Sequence, residues 1–187
     1  MKKNKTKQKL YIIPGWGEKI TGKNYQNLIN SAREKYTVVP VEYISVKGRL
    51  FSENIKQAKS QIIGLASDDV VLGFSNGALI AYQLTTQIKF KLAIICSISA
   101  ILDKDLLLYP KKERDKIFTT AEIRELNKIT YRRPISPIVI FYGSLETSET
   151  IKRSKKLHEQ FGGTLVSIGK YNHRLTGDYL EAVKKQL

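Results

Sequence analysis

The feature that most constrains the fold is an apolar strand that runs without a break into a glycine-flanked serine and then into a helix. Residues 70–73 are predicted as the strand, Gly73-Phe74-Ser75-Asn76-Gly77 follows, and residues 76–86 are predicted as the helix. This G-x-S-x-G pattern puts a serine at the tip of a sharp turn, where strand and helix cross too closely for residues larger than Gly73 and Gly77. The context predicts Ser75 as a nucleophile, and the alternative is a tight turn that happens to contain a serine.

The rest of the chain alternates between short apolar strands and amphipathic helices. Strands are predicted at 9–13, 36–41, 70–73, 92–97, 138–142 and 164–167. Helices are predicted at 24–35, from an N-cap at Ser52 through Ala66, at 76–86, at 121–127 after a cap at Thr119 or Thr120, at 148–161, and from a cap at Thr176 to 185. This order predicts a three-layer α/β sandwich around a mainly parallel sheet of about six strands. We expect a basic tail at 1–8 and a single domain at 9–187, with a short lid or helical insertion around 98–137.

The length and charge of the chain limit what it can do. Its 187 residues, 42% hydrophobic, are enough for one domain with a continuous core. A formal charge of +15 is compatible with nucleic acid, anionic lipid or an acidic protein as partner. The basic residues are nevertheless scattered over predicted surface helices and are not interleaved with aromatic residues, which argues against nucleic acid. A solvated basic surface, with an acidic protein as the remaining candidate partner, fits this pattern better.

The single cysteine and the N-terminal residues indicate a reducing compartment. Cys96 cannot form an internal disulfide, and its apolar neighbours predict a buried strand position. The apolar run at 10–13 is too short for a signal peptide, and no later segment approaches the length of a membrane span. We therefore expect a cytoplasmic protein.

Two backbone N–H groups are the candidate donors of an oxyanion hole. In this kind of turn the residue after the nucleophile supplies one donor, here Asn76, and a loop after an early strand supplies another. Pro14-Gly15-Trp16-Gly17 follows the first predicted strand, and Trp16 is our candidate within it. The alternative is an ordinary turn with a packing tryptophan.

The chain has only two histidines that could act as a general base. His158 lies in a predicted helix with four nearby basic residues, where a histidine is expected to face solvent and to resist protonation. His173 lies in the loop between the last strand and the last helix, from which it can reach over the carboxyl edge of the sheet. The sequence therefore predicts His173 as the base.

The carboxylate that orients the base is expected after the strand before the last one. Glu146 is the first carboxylate there, and it could hold the imidazole tautomer and stabilise the imidazolium. Glu149 is a local alternative, and Asp103 or Asp105 is a more distant one. Glu146 could also serve only as a negative charge at a helix N-terminus.

Taken together, these motifs resemble the α/β-hydrolase superfamily, in particular its compact and nearly lidless serine hydrolases. The resemblance extends from Ile12-Ile13-Pro14-Gly15 through the serine turn and Phe141-Tyr142-Gly143-Ser144-Leu145-Glu146 to Asn172-His173. Pro14-Gly15 stands where His-Gly is common in the family, and Glu146 stands where aspartate is usual. The resemblance implies hydrolysis of a carboxylic ester, thioester or amide through an acyl-enzyme, without a metal or an organic cofactor.

The sequence thus favours a serine hydrolase that acts on a small-molecule acyl ester or thioester. Two alternatives stay open: a binding protein that has the fold without the chemistry, and a binder of nucleic acid or other anionic partners through the basic surface.

Overall fold

The computed structural model describes residues 7–99, 110–112, 116 and 118–187. Six strands form one sheet: β1 (Gln8–Ile13), β2 (Tyr36–Pro40), β3 (Val70–Phe74), β4 (Leu92–Cys96), β5 (Ile138–Gly143) and β6 (Thr164–Ile168). All neighbouring strands pair in parallel, in the order β2-β1-β3-β4-β5-β6. The predicted parallel sheet is therefore confirmed.

Helices cover both faces of this sheet, which gives the three predicted layers. Within the described residues they are α1 (Lys23–Ala32), α2 (Phe51–Ser60), α3 (Asn76–Thr85), α4 (Thr120–Asn127), α5 (Ser148–Phe161) and α6 (Gly177–Lys184). None of the helices in this part of the chain is long and apolar enough to cross a membrane.

The two faces of the sheet form two separate apolar cores. Alternate residues of a strand point to opposite faces, so that Tyr11 and Ile13 join one core while Leu10 and Ile12 join the other. The first core is closed by α2, α3, α4 and α5, and the second by α1 and α6. Strands β3 and β5 are buried along their whole length, whereas the edge strands β2 and β6 are partly exposed. Burial on both faces explains why the central strands read as continuous apolar runs.

Helix α2 does not start at the predicted cap. Phe51 is its first residue, so that Ser52 lies inside the helix. The carboxylate of Glu125, on α4, accepts hydrogen bonds from the N–H groups of both Phe51 and Ser52. A side chain from another helix therefore satisfies the free donors at this end, which a local sequence pattern cannot predict.

The same helix also ends earlier than predicted, at Ser60 and not at Ala66. Gly64 adopts a φ of +59°, which turns the chain away from the helix axis. The ammonium group of Lys9, on β1, donates to the carbonyl oxygens of Ile63 and Gly64 at 2.7 and 2.9 Å. Residues 61–66 thus turn back to the amino edge of the sheet.

The order of the strands fixes where a site can form. The chain passes from β1 to β2 on one side and then crosses back to β3 on the other. Ligands of open parallel sheets bind at the carboxyl ends of the strands where the order reverses in this way. The loop after β1 and the turn after β3, which contains Ser75, both lie at this point.

Part of the predicted insertion lies outside the described residues. This holds for Asp103 and Asp105, for the Leu106-Leu107-Leu108 run, and for most of the basic tail. The described part of the insertion contains α4, whose N-cap Thr119 accepts from the N–H of Glu122 at 3.3 Å, as the sequence predicts.

Candidate active site

Ser75 occupies the bend between β3 and α3 in a backbone conformation that is rare for a residue with a side chain. Its φ is 57° and its ψ is −121°. Such a conformation costs on the order of 1–3 kcal/mol and persists only where the surroundings impose it. Here the N–H of Ser75 donates to the carbonyl oxygen of Cys96 at 2.9 Å, and its own carbonyl accepts from Ala78 at 3.0 Å.

The two glycines around the serine permit the close crossing that the sequence predicts. A methyl group on Gly73 would overlap the backbone of Gly77 and Ala78, and one on Gly77 would overlap the carbonyl oxygens of Ile13 and Pro14. Strand β3, helix α3 and the end of β1 are therefore in backbone contact at this point.

Three side chains from distant parts of the chain meet above the carboxyl edge of the sheet. The Nε2 atom of His173 lies 2.7 Å from the Oγ of Ser75, and its Nδ1 lies 3.1 Å from Oε2 of Glu146. The Glu146 side chain is fully buried, whereas that of His173 is 40% exposed. An ionised carboxylate can only accept, so the geometry places the imidazole hydrogen on Nδ1 and leaves Nε2 free to accept the serine proton.

The second carboxylate oxygen of Glu146 accepts hydrogen bonds from two buried donors. Its Oε1 accepts from the backbone N–H of Gly143 at 2.7 Å and from the hydroxyl of Ser97 at 2.6 Å. Ser97 has a single hydrogen, which it gives to the carboxylate, so the hydroxyl of Tyr179 is the donor in the 2.8 Å contact between Tyr179 and Ser97. A continuous row of hydrogen bonds thus runs from Tyr179 on α6 to Ser75.

Burial keeps Tyr179, at the end of this row, and the nearby Cys96 protonated. It raises the pKa of Tyr179 well above its usual value, and the nearby Cys96 and Glu146 add to the effect. Burial likewise raises the pKa of the Cys96 thiol, with a further contribution from Glu146. Tyr179 therefore stays a donor at neutral pH. Cys96 occupies the buried strand position that the sequence predicts, and its protonated thiol is unreactive there.

The loop after β1 packs directly against Ser75. The N–H of Gly15 donates to Oε2 of Glu18 at 2.9 Å and to the hydroxyl of Tyr25 at 3.1 Å, and Tyr25 also donates to Glu18. A methyl group on Gly15 would come within 3.2 Å of Cβ of Ser75. These contacts hold the glycine-rich loop close to the hydroxyl of Ser75.

Both predicted oxyanion donors belong to residues beside Ser75. Trp16 and Asn76 line the same pocket as the serine. The indole ring of Trp16 lies 5.5 Å from the ring of Phe118, and the side-chain amide of Asn76 donates to the hydroxyl of Tyr43 at 3.2 Å. The use of their backbone N–H groups as oxyanion donors stays a prediction.

The other candidate acids are placed elsewhere or lie outside the described residues. Glu149 is on α5 and pairs with Lys152 at 3.2 Å. The N-cap of α5 is Thr147, so Glu146 precedes the helix and its carboxylate points to His173. Asp103 and Asp105 are outside the described residues.

The prediction that His158 faces solvent is wrong. Its ring is half-buried, and within the described residues its buried Nδ1 atom has no hydrogen-bond partner. The physical reason is its position on α5, four residues after the fully buried Ser154 and therefore on the same side of the helix. The imidazole that contacts Ser75 is that of His173.

Ser97, Tyr179 and Tyr43 were missed by the sequence reasoning. Ser97 directly follows β4 with a φ of 51°, and only its place at the carboxyl edge of a central strand could have suggested it. Tyr179 and Tyr43 carry no local signal, because tyrosines in an amphipathic helix and in a loop are ordinary core residues. In the described part of the chain, no group of three or more His, Cys, Asp or Glu residues is placed to hold a metal ion.

Known proteins resemble this chain in structure but not in sequence. No protein-family model matches it, and no curated protein sequence matches it. A putative hydrolase from Agrobacterium vitis has a TM-score of 0.81 at 14% identity, over 96% of this chain and 86% of that one. Mouse alpha/beta hydrolase domain-containing protein 10 has a TM-score of 0.74 at 12% identity, over 95% of this chain and 87% of that one.

A third similar structure is the enol-lactonase from Burkholderia xenovorans. It has a TM-score of 0.72 at 11% identity, over 98% of this chain and 91% of that one. Identities this low report on the fold alone. Together with the parallel six-stranded sheet, they show that this chain has the α/β-hydrolase fold.

Proposed function

We propose that the protein is a serine hydrolase that cleaves a carboxylic ester or thioester through an acyl-serine intermediate. The observation that carries the proposal is the pair of contacts from Ser75 Oγ to His173 Nε2, at 2.7 Å, and from His173 Nδ1 to Glu146 Oε2, at 3.1 Å. A hydroxyl, an imidazole and a carboxylate in this order are the parts of a general-base-activated nucleophile. The names of the structurally similar proteins, which include a hydrolase and a lactonase, are consistent with it.

The proposed reaction has two halves. In the first, the Ser75 hydroxyl gives its proton to Nε2 of His173, and its oxygen attacks the carbonyl carbon of the substrate. His173 then gives that proton to the leaving alcohol or thiol, and the acyl group stays on Ser75. In the second, His173 takes a proton from water, the water oxygen attacks the acyl-serine, and the acid leaves as the serine is protonated again.

The proposed role of Glu146 is to stabilise the imidazolium that forms in both halves. Its carboxylate is buried and held by Gly143 and Ser97, so it needs no reorganisation when charge develops on His173. The N–H groups of Trp16 and Asn76 are the proposed donors to the oxyanion.

Esters and thioesters are favoured over peptides because the pocket beside Ser75 is small. Its free volume is about 40 Å³, which corresponds to a few water-sized groups. A small acyl group fits this space, and it also fits when an acidic protein carries it. Equal rates on free and carrier-linked acyl groups would remove the support for such a carrier.

Fluorophosphonate labelling combined with p-nitrophenyl ester hydrolysis tests the proposal. The wild-type protein is expected to be labelled and to hydrolyse short acyl esters, and Ser75→Ala is expected to lose both activities. His173→Gln should lose hydrolysis by a factor of at least about 10³. His158→Gln is the matched control and should keep it. A wild-type protein that is neither labelled nor active would favour a binding protein that has only the fold.

A further inference from the structure

The pocket beside Ser75 has apolar walls but also contains polar side chains far from solvent. Trp16, Phe51, Phe118 and Leu126 supply the apolar surface. Asn54 and Glu122 line the same pocket, and they are only 1% and 2% exposed. Buried polar side chains are normally fully hydrogen-bonded, so each atom that lacks a partner requires an explanation.

Asn54, on the first turn of α2, has one such atom. Its Oδ1 accepts from Nε of Arg49 at 2.9 Å, and the guanidinium of Arg49 also donates to Gln57 at 3.0 Å. Because Arg49 can only donate, the amide oxygen must face it, and this fixes the orientation of the amide group. The Nδ2 atom of Asn54 is then a buried donor that has no partner among the described residues.

Glu122, on the first turn of α4, leaves an acceptor free. Its Oε2 accepts from the N–H of Gly48 at 2.9 Å, from the N–H of Thr119 at 2.6 Å and from the Thr119 hydroxyl at 2.7 Å. Its Oε1 is buried and, within the described part of the chain, has no partner. The carboxylate is therefore fixed by one oxygen, while the other is buried and unpaired among the described residues.

Two side chains that line this pocket of about 40 Å³ thus each keep a buried polar atom without a partner among the described residues, a donor on Asn54 and an acceptor on Glu122. A hydroxyl group satisfies both, because it gives its hydrogen to Glu122 and accepts one from Asn54. An ionised ligand carboxylate has no hydrogen to donate to Glu122, and an ammonium group could not accept from Asn54. We propose that this pocket recognises a hydroxyl group on the substrate through Asn54 and Glu122, an inference that rests on the proposed ester or thioester hydrolysis.

The hydroxyl belongs to the acyl part of the substrate. The leaving group receives its proton from His173, so it departs on the side where that imidazole lies. The described residues that line the pocket include Ser75, Asn76 and Trp16 but not His173. The pocket therefore holds the part that stays on the serine, and the substrate class is a short hydroxyacyl ester or thioester.

A pair of nearly isosteric esters tests this inference. The p-nitrophenyl esters of 3-hydroxybutanoate, each enantiomer separately, and of 3-methylbutanoate differ by a hydroxyl in place of a methyl group. We compare their kcat/KM values after dividing by the rates of hydroxide hydrolysis, which removes the intrinsic reactivity. The wild-type protein is expected to prefer at least one hydroxy enantiomer by about tenfold or more.

Two variants and their controls assign the preference to the pocket. Asn54→Leu should reduce the preference to about one. Glu122→Gln should reduce it several-fold, since the amide oxygen can keep the contacts of Oε2 while a donor replaces the free acceptor. Asn30→Leu on α1 and Glu181→Gln on α6 are exposed controls and should keep the wild-type preference. A wild-type preference of one would overturn the inference, and ordered water would then be the partner of the two atoms.

Binding to Ser75→Ala separates this inference from the proposed function. If the wild-type protein hydrolyses both esters equally, in a way that depends on Ser75, the function stands and the hydroxyl recognition fails. If it hydrolyses neither ester, calorimetry of 3-hydroxybutanamide and 3-methylbutanamide with Ser75→Ala decides the inference, and the function fails only if fluorophosphonate also leaves the wild-type protein unlabelled. Tighter binding of the hydroxy amide supports it, and equal binding overturns it. If the Asn54 or Glu122 variant does not fold, the same calorimetric measurement decides the inference.

Discussion

Gly143 and Tyr171 are in backbone contact, since a methyl group on Gly143 would overlap the carbonyl oxygen of Tyr171. That same oxygen accepts from the N–H of Leu145 at 2.8 Å, and the N–H of Ser144 donates to Ile168 at 2.9 Å. The loop that carries Glu146 is therefore hydrogen-bonded to the chain that leads to His173. The separation of the carboxylate and the imidazole depends on this contact.

We expect Gly143→Ala to lower kcat by about tenfold to a hundredfold. The added methyl group must push the two loops apart, and small displacements of catalytic groups have effects of this size. Gly169→Ala is the matched control, because a Cβ there would meet nothing within 4 Å. Steady-state kinetics of both variants provide the measurement. Equal activity of the two would mean that the loops can separate without loss.

Glu146→Gln is expected to reduce kcat by about 10³–10⁴-fold without unfolding the protein. The amide oxygen can still accept from Gly143 and Ser97, but the amide nitrogen then faces Nδ1 of His173 and favours the wrong tautomer. The comparison is with Glu149→Gln, which removes an exposed ion pair and should retain activity within about twofold. A small effect at Glu146 would assign the orienting role to another acid.

Ser97→Gly tests whether the buried hydroxyl positions the acid. Glycine accepts the positive φ of this residue, so the variant removes the hydrogen bond to Glu146 without adding strain. The kcat is expected to fall about tenfold while KM stays the same, since the hydroxyl does not touch the substrate. Tyr179→Phe should have a smaller effect of the same kind. An unchanged kcat would show that Gly143 alone is sufficient to hold the carboxylate.

The protein is expected to lose stability as the pH rises above about 9. Burial raises the pKa values of Cys96, Tyr25 and Tyr179 from their ordinary values of 9.0, 10.0 and 10.0. Above these values the unfolded chain loses protons that the folded chain keeps, so the free energy of unfolding falls with rising pH by about 1.4 kcal/mol per unit and group. Below pH 8 these groups are protonated in both states and contribute no slope.

Urea unfolding at pH 8, 9.5 and 11 measures this loss. Tyr179→Phe removes one of these groups, so its free energy of unfolding should fall less steeply between pH 10 and 11. A variant with the same slope as the wild-type protein would show that Tyr179 ionises in the folded state.

The sequence predicted those parts of the fold that depend on local patterns. Helix α5 has the predicted bounds, and strand β3 differs from its prediction by one residue, because continuous apolar runs and flanking turn residues are strong local signals. The start of α2 was wrong because its cap, Glu125, comes from α4, which is 74 residues away in the chain. Such long-range partners leave no trace near the helix they cap.

In the candidate site, too, local patterns could be predicted from the sequence and long-range contacts could not. Ser75 was predicted from its own neighbours, and His173 and Glu146 from their places after successive strands; the structure has these three side chains in contact. Ser97 and Tyr179 could not be found, because their importance comes only from hydrogen bonds between residues far apart in the chain. Ser97 and Glu146 are separated by 49 positions, and Ser97 and Tyr179 by 82. The buried atoms of Asn54 and Glu122 that lack a partner within the described residues are likewise visible only when the contacts of neighbouring atoms are known.

The pocket walls and the residues around the His173 imidazole belong to different cores, on opposite faces of the sheet. Phe51 and Leu126, which line the pocket, belong to the core under α2 to α5, while Phe74 and Tyr179, which pack around the imidazole and its supports, belong to the core under α1 and α6. If the proposed function holds, substitutions of Phe51 and Leu126 are therefore expected to alter which molecule the pocket accepts, with little effect on the contacts of His173. This separation makes the pocket walls a suitable target for directed changes of selectivity.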